Sequence, residues 1–548
     1  MRINKFLYLL LLFICVTSLL CACTAETENT APSMPQTSYT NTKYDPPITI
    51  NIVEDINTER IYLPGETYME NLWTRAYEEE LGIKFNYLWV ENSAQFKERL
   101  NSAIASGVYP DILAEDYPTF YNLAYYGTLA DLTQVYDNYV SPLTREYALR
   151  GDSYGLKNCT INGKLYGIAS SPSILPQNLL YIRDDWMRAL DAAPPNNMDD
   201  VITIARAFTF QDPDRNGVDD TFGMGMDMEI FSGGMDIRGF FNGYKAYPQQ
   251  WVEIGGKLEW GSIQPEVKDV LATLQMLYAE GIIDKDFASK DTWDKATDLI
   301  KNGQVGMFYG ANWVPFWTPV LTLLMENNEA TWSHYQIPSA DGSPGMSWTD
   351  DSIGDVLFAF EHFEHPEAVI KIINFINEKL RDPDKAIGEF HTKDGVETFF
   401  FSKFIESVPG PAYQSHIAAV EVIAALESGD SSGLNPEQLG YYDKCKLWLD
   451  SRDPAGWGAY SIFGPGGTML MQANMVENMH YHINGYTGPK TKEMNEKSEE
   501  IRQQEIEVFT KIIMGAPIEL FDDYVEYFHS VGGAMTKEAN EWYALQSN

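Results

Sequence analysis

The chain has 548 residues, 44% of them apolar, and a formal net charge of −39. That charge argues against nucleic acid and against an anionic bilayer surface as partners, although a pocket can keep its own local sign. The length and apolar content suit cores of ordinary size, expected in two lobes.

The first residues, "MRINKFLYLLLLFICVTSLLCAC", open basic and continue as an apolar run of about fifteen residues, the profile of a secretory signal. The run is shorter than the about twenty apolar residues a membrane-spanning helix needs. It ends on "LCAC", Leu20 to Cys23, which resembles the lipobox of bacterial lipoproteins: Leu three before the cysteine, a small Ala just before it. Cys23 is therefore expected to be the lipidated first residue of the mature chain, with palmitate among its acyl groups. Cys21, which follows Leu20, is the poorer candidate. Residues 1–22 are then the signal peptide and 23–45 a tether, because "TAETENTAPSMPQTSYTNTKYD" is rich in Thr, Ser, Asn and Pro and too poor in aliphatics to fold. Beyond the tether the cysteines are Cys159 and Cys445, so no disulfide framework is expected, and whether the two pair stays open.

"ITINIV" (48–53) alternates and is rich in Ile and Val, the pattern of a strand. Met69, Leu72, Trp73, Ala76 and Tyr77 follow helical spacing, which Gly82 ends. "IKFNYLWV" (83–90) reads as a second strand, Phe96, Leu100, Ala103 and Ile104 as a helix closed by Gly107, and "PDILA" (110–114) as a third strand. Strands and helices alternating at this spacing give an α/β fold with a parallel sheet. Ligands gather at the carboxyl ends of such strands. Glu115 and Asp116 stand at one of those ends and are candidate ligand residues, with capping of the next helix as the plainer role.

In "DPDRNGVDDTFG" (212–223), oxygen-bearing residues recur at alternate positions. A calcium loop draws on positions 1, 3, 5, 7 and 9, with a backbone carbonyl at 7 and glycine at 6. Those positions are Asp212, Asp214, Asn216, Val218 and Asp220, with Gly217 sixth; position 12, where a bidentate Glu normally closes the shell, is Gly223. The last ligand must then come from Thr221, from water or from elsewhere. A plain polar turn uses the same residue types, but five matches in register favour Ca2+. With no second loop of this kind, a structural clip is expected rather than a paired sensor.

The stretch "INGKLYGIASSPSILPQNLLYIRDDWMRAL" (161–190), followed by "PPNNMDDVITIARAFT", resembles the extracellular solute-binding proteins of ABC importers, the family 1 type that captures sugars. "DLIKNGQVGMFYGANW" (298–313) is similar to that family's helix, turn, strand and pocket tryptophan. "HPEAVIKIINFINEKL" (365–380) resembles its following helix and "KEANEWY" (537–543) its final one. Larger members carry a similar metal loop in the second lobe. The resemblance implies a two-lobed, type II periplasmic-binding-protein-like fold with the ligand in the cleft between lobes. Crossings are expected near Ile168 to Ser173 and near Ser352 to Leu357. The first lobe would hold 46–168 with a return segment of roughly 357–440, and the second 169–356 with C-terminal helices of roughly 441–548. The implied partners are a carbohydrate, an ABC permease and the lipid anchor, for a monomer held outside the cytoplasm.

A sugar presents apolar C–H faces ringed by hydroxyls, so its site pairs flat aromatics with polar side chains. Trp313 and Trp317 follow "VGMFYG" where the family's stacking residue falls, accompanied by Tyr309 and Asn312. Trp348, Asp350 and Asp351 precede the second crossing, and Trp457 lies in "DPAGWGAYSIFGPGG", expected to be a flexible loop lining the cleft. These, with Glu115 and Asp116, are the candidate ligand residues; core packing is the competing role for each tryptophan. A secreted calcium-containing polysaccharide-degrading enzyme is the rival reading, yet the chain has no G-x-S-x-G and no H-E-x-x-H motif. A peptide or signal receptor on the same fold is a third. The expectation is a binding protein without catalysis.

Overall fold

A computed structural model describes residues 42–56, 60–149, 155–170, 175–231, 234–290, 296–327, 329–349, 354–382, 385–410, 414–488 and 490–546. Cys23, the tether up to residue 41, and Asp350 and Asp351 lie outside them, as do parts of both expected crossings.

The opening alternation of strand and helix is realised nearly as read. Strand Ile48–Ile56 pairs in parallel with Ile83–Asn92. Between them run helix Leu72–Ala76 and a wider-pitched turn, Tyr77–Leu81, which Gly82 ends in the left-handed conformation at φ 69°. Asn71 caps that helix by accepting from the Trp73 and Thr74 amides. Helix Ser93–Ala105 follows, and strand Ile112–Glu115 lies beside the first strand, where the Asp111 amide donates to the Asn51 carbonyl at 2.8 Å.

A distant segment extends this layer through a three-stranded sheet beside the parallel pair. Strand Val356–Ala359 inserts between Ile112–Glu115 and Gly167–Ala169, antiparallel to both. Gly167 permits the insertion, since a Cβ there would stand 2.5 Å from a Val356 methyl. Helix Glu367–Arg381 then buries Val369, Ile370, Ile372, Ile373 and Ile376 on the first core. That core runs from Ile50 through Ile168 and resumes from Val356 to Val408.

The second sheet has the order Trp332–Tyr335, Asn178–Arg183, Val305–Ala311, Phe222–Met224, the last two parallel. Its central strand, Asn178–Arg183, is buried at every position, as expected of a strand covered on both faces. Helices Met198–Phe210, Pro265–Glu280 and Lys492–Ile513 cover it, joined in the core by Phe521 and Tyr524. Gly223 is glycine for packing: a Cβ would stand 2.0 Å from the Ala205 carbonyl oxygen of helix Met198–Phe210. Helix Gln414–Ser428 packs in a further cluster with Cys445, Ala459, Ile462 and Phe463, against Phe316. Cys159 and Cys445 are buried free thiols in different cores. No helix among the described residues is long and apolar enough to cross a membrane.

Candidate functional site

At the carboxyl end of the first sheet, Asp116 caps helix Tyr117–Tyr125 by accepting from the Thr119 amide at 2.9 Å. The capping role therefore holds, but the cap also carries charge. Lys97, from helix Ser93–Ala105, reaches over to bond Glu115 and lies 2.8 Å from Asp116. Burial pushes the Glu115 carboxyl above its ordinary range against the pull of Lys97. Burial acts on Asp116 in the same direction, but bonds from Lys97 and Thr119 outweigh it and hold that carboxyl low. Asp355, just before the inserted strand, is raised by burial and then by the negative charge of Asp116. Lys490 lies 5.4 Å from the centre of the Tyr117 ring, so the C-terminal segment meets this end of the first sheet.

At the carboxyl end of the second sheet, the turn after strand Val305–Ala311 projects Trp313, which is 40% exposed and meets Trp317 edge-to-face at 6.5 Å. The other aromatic candidates are interior in this structure: Tyr309 is 1% exposed, Trp317 7%, Trp348 8% and Trp457 4%. Tyr309 packs so closely on Gly239 that a Cβ there would sit 2.2 Å from its ring, and Trp317 covers Gly234 in the same way. Trp457 corrects the expectation of a flexible loop. Its segment is helix Pro454–Phe463, and the glycines serve close packing: a Cβ at Gly458 would lie 2.6 Å from the Pro315 carbonyl oxygen.

Trp348 is fixed from several sides. Its indole N–H donates to Asn178 Oδ1 at 2.9 Å and its amide to Asn242 Oδ1 at 2.9 Å. The Arg238 guanidinium lies 3.6 Å over its ring, oriented by a two-pronged bond to Asp236. Asn312 donates to Gln472 at 3.0 Å, and Gln472 donates to the Pro176 carbonyl at 2.6 Å, tying the turn to helix Thr468–Glu477 and the 176–178 segment. Lys97, Arg238, Asn178 and Gln472 went unnoticed in the sequence. Each acts on a partner distant in the chain or through a common residue type, and only "DIR" (236–238) hints at the Asp–Arg clamp.

The loop 212–220 is a ring of oxygens closed on itself. The Asn216 side-chain N–H donates to Asp214 Oδ2 at 2.9 Å and to Asp220 Oδ1 at 3.3 Å, while the Asn216 amide donates to Asp212 Oδ1 at 3.1 Å. Burial, with Asp212 and Asp220 nearby, pushes the Asp214 carboxyl up. An all-oxygen donor set of this kind suits a hard cation. Among the described residues, however, no three His, Cys, Asp or Glu side chains are arranged to hold a metal. The Thr221 hydroxyl donates to the Phe208 carbonyl at 2.8 Å, which leaves its oxygen lone pairs free to accept. Val218 is exposed, and its amide bonds Asn216 Oδ1 at 2.6 Å.

Two α/β cores, one sheet completed by a returning strand, and polar clusters at the strand ends define a two-lobed binding-protein fold. The solved structures agree: an alginate-binding protein AlgQ2, in a structure described as without calcium ion, matches with a TM-score of 0.64 at 15% identity over 92% of this chain and all of that one. The S. pneumoniae ABC-transporter substrate-binding protein FusA, in complex with kestose, matches at 0.62 and 15% over 91% and 99%. The chain belongs to the bacterial extracellular solute-binding protein family, whose profile matches residues 63–379. Among curated relatives, the polygalacturonan/rhamnogalacturonan-binding protein YtcQ of Bacillus subtilis is 29% identical over 43% of this chain, and Lipoprotein LipO of the same organism 28% over 42%. The matched part spans about half the length of those relatives, 46% and 45%.

Proposed function

We propose that the protein is a cell-surface lipoprotein of an ABC importer that captures an oligosaccharide between two lobes and hands it to a membrane permease. The observation that carries this is Trp313, a large flat ring left 40% exposed at the carboxyl end of a buried strand. Family membership supports solute binding, and relatives described as binding polygalacturonan and kestose support a sugar as the solute. The first lobe comprises 46–168 with the return segment; the extent of the first core, to Val408, supports ending that segment there rather than near 440. Trp313, Asn312, Glu115 and Asp116 face the sugar, and Trp348 shapes the floor from within. No catalysis is involved, and the chain works as a monomer anchored outside the cytoplasm through Cys23.

Ca2+ belongs to this reading as a clip, with Asp212, Asp214, Asn216, Val218 and Asp220 as its oxygens. A solved structure described as a FusA EF-hand mutant supports a cation loop on this fold. A cation would neutralise the crowded carboxylates that now repel one another. Excess EDTA should therefore lower the melting temperature, and Asp214→Ala should abolish most of that sensitivity. A melting curve indifferent to EDTA and to added Ca2+ would leave the loop as a turn.

A thermal-shift screen across neutral and acidic glycans tests the sugar reading, because a ligand that binds only the native state raises its melting temperature. Binding should leave the glycan intact. Release of new reducing ends would replace this reading with the enzyme.

A further inference from the structure

The charges at the strand ends narrow the class of sugar, an inference that rests on the carbohydrate reading above. In the first sheet the carboxyl ends carry Asp55, Glu91, Glu115 and Asp116, with Asp355 beside them. The cations there are committed. Lys97 bonds Glu115 and Asp116, while Arg99 bonds Glu91 and lies 4.8 Å over the Trp89 ring.

The second side repeats the pattern. Arg238 is forked onto Asp236 at 2.6 and 2.9 Å, and Arg502 onto Glu499 at 2.8 and 2.9 Å. The two sides meet here, because Lys490 lies over the Tyr117 ring and Asp116 acts on Glu499, while Glu229 acts on Arg502 within the second side. Eight carboxyl groups (Asp55, Glu91, Glu115, Asp116, Asp355, Glu229, Asp236 and Glu499) thus stand against five cations, counting Lys490 over Tyr117. Adding the buried Glu54–Lys403 pair and Arg60 makes nine against seven, and the balance stays acidic.

A uronide brings one carboxylate per sugar. Lys97, Arg99, Arg238 and Arg502 could receive it only by giving up a carboxylate they already hold, and elsewhere it lies where acids outnumber cations, so both outcomes cost binding. A neutral sugar faces neither penalty. Its hydroxyls can donate to carboxylates already oriented by their lysine and arginine partners, in charge-assisted bonds. We infer that the site takes neutral oligosaccharides and discriminates against uronides, so the polygalacturonan specificity in the name of the 29%-identical relative does not carry over to this chain.

The test is calorimetry on the intact chain with trigalacturonate, with its fully methyl-esterified form, and with the neutral oligosaccharides kestose and galactotriose. The ester keeps the shape and removes the charge. Neutral binding is expected, with the acid at least tenfold weaker than the ester. Where the acid binds measurably, the gap should shrink in 1 M NaCl, which screens the repulsion to about 3 Å. Binding of kestose or galactotriose with no response to trigalacturonate supports the same conclusion. Trigalacturonate binding as tightly as its ester, or binding alone, overturns the charge argument and leaves the carbohydrate reading standing. No response to these sugars or to the wider glycan screen overturns the carbohydrate reading itself, and this inference with it.

Discussion

At the end of the first sheet a lysine bridges two acids, whereas on the second side an arginine lies flat on a buried tryptophan and a separate, exposed tryptophan follows strand Val305–Ala311. The first arrangement is a fixed set of hydrogen-bond acceptors, and the second supplies apolar area. The buried acids also differ. Glu54 and Glu115 on the first side are matched by lysines, Lys403 at 3.0 Å and Lys97, and Asp236 on the second by Arg238, whereas Glu505 there takes its bond from the Tyr524 hydroxyl at 2.6 Å. In the reading proposed above, the first side orients hydroxyls and the second supplies a stacking face.

The largest effect should come from the aromatic side. Trp348→Ala removes a buried ring that donates one hydrogen bond and supports Arg238, and leaves Asn178 Oδ1 without that donor, while the backbone bond to Asn242 stays. A loss of about 3–5 kcal/mol is expected in denaturant unfolding. A loss below about 1 kcal/mol would mean that Trp348 is not the floor of that side.

The unmatched acid comes next. Burial pushes the Glu505 carboxyl up to about 7, from an ordinary value near 4.5. Its folded pKa lies above its unfolded one, so the native state holds the proton more tightly. Stability is therefore highest below about pH 4.5 as far as this group is concerned, falls as pH rises towards 7, and stays reduced above it. The shift corresponds to about 3 kcal/mol. Glu505→Ala should flatten that part of the pH–stability curve whatever its own cost in packing. A variant curve parallel to the parent between pH 4.5 and 7.5 would refute the assignment.

The matched acid should give the smallest change. Lys97→Met removes a half-exposed lysine and leaves Glu115 buried without its cation, an expected cost of about 1 kcal/mol at pH 7. Lowering the pH should recover the loss, because a raised carboxyl takes up its proton readily in the folded state. A deficit that persists at pH 4 would point to packing rather than charge.

Much of the fold was legible because it is local. Period-2 and period-3.6 patterns located the first strands and helices, and Gly82 and Gly107 marked the helix ends by their left-handed backbone. The returning strand Val356–Ala359 was approached only through the family resemblance, since pairing across almost 200 residues leaves no local mark. The candidate site was harder to read. Tryptophan after a strand has the same local pattern whether it faces solvent, as Trp313 does, or a glycine, as Trp317 does. "DPAGWGAYSIFGPGG" suggested a loop by its glycines, yet those glycines let a helix press against backbone. Glycine content alone does not distinguish freedom from crowding.

The most direct test of the account is calorimetry of the parent and Trp313→Ala with the neutral oligosaccharide that shifts melting most, alongside a melting curve for each. Trp313 is exposed enough that its loss should change stability by less than about 1 kcal/mol. Affinity should fall by about 2 kcal/mol, the scale of one aromatic anchor at the centre of a site. Unchanged affinity in a variant that melts like its parent would contradict the claim that this strand end holds the sugar.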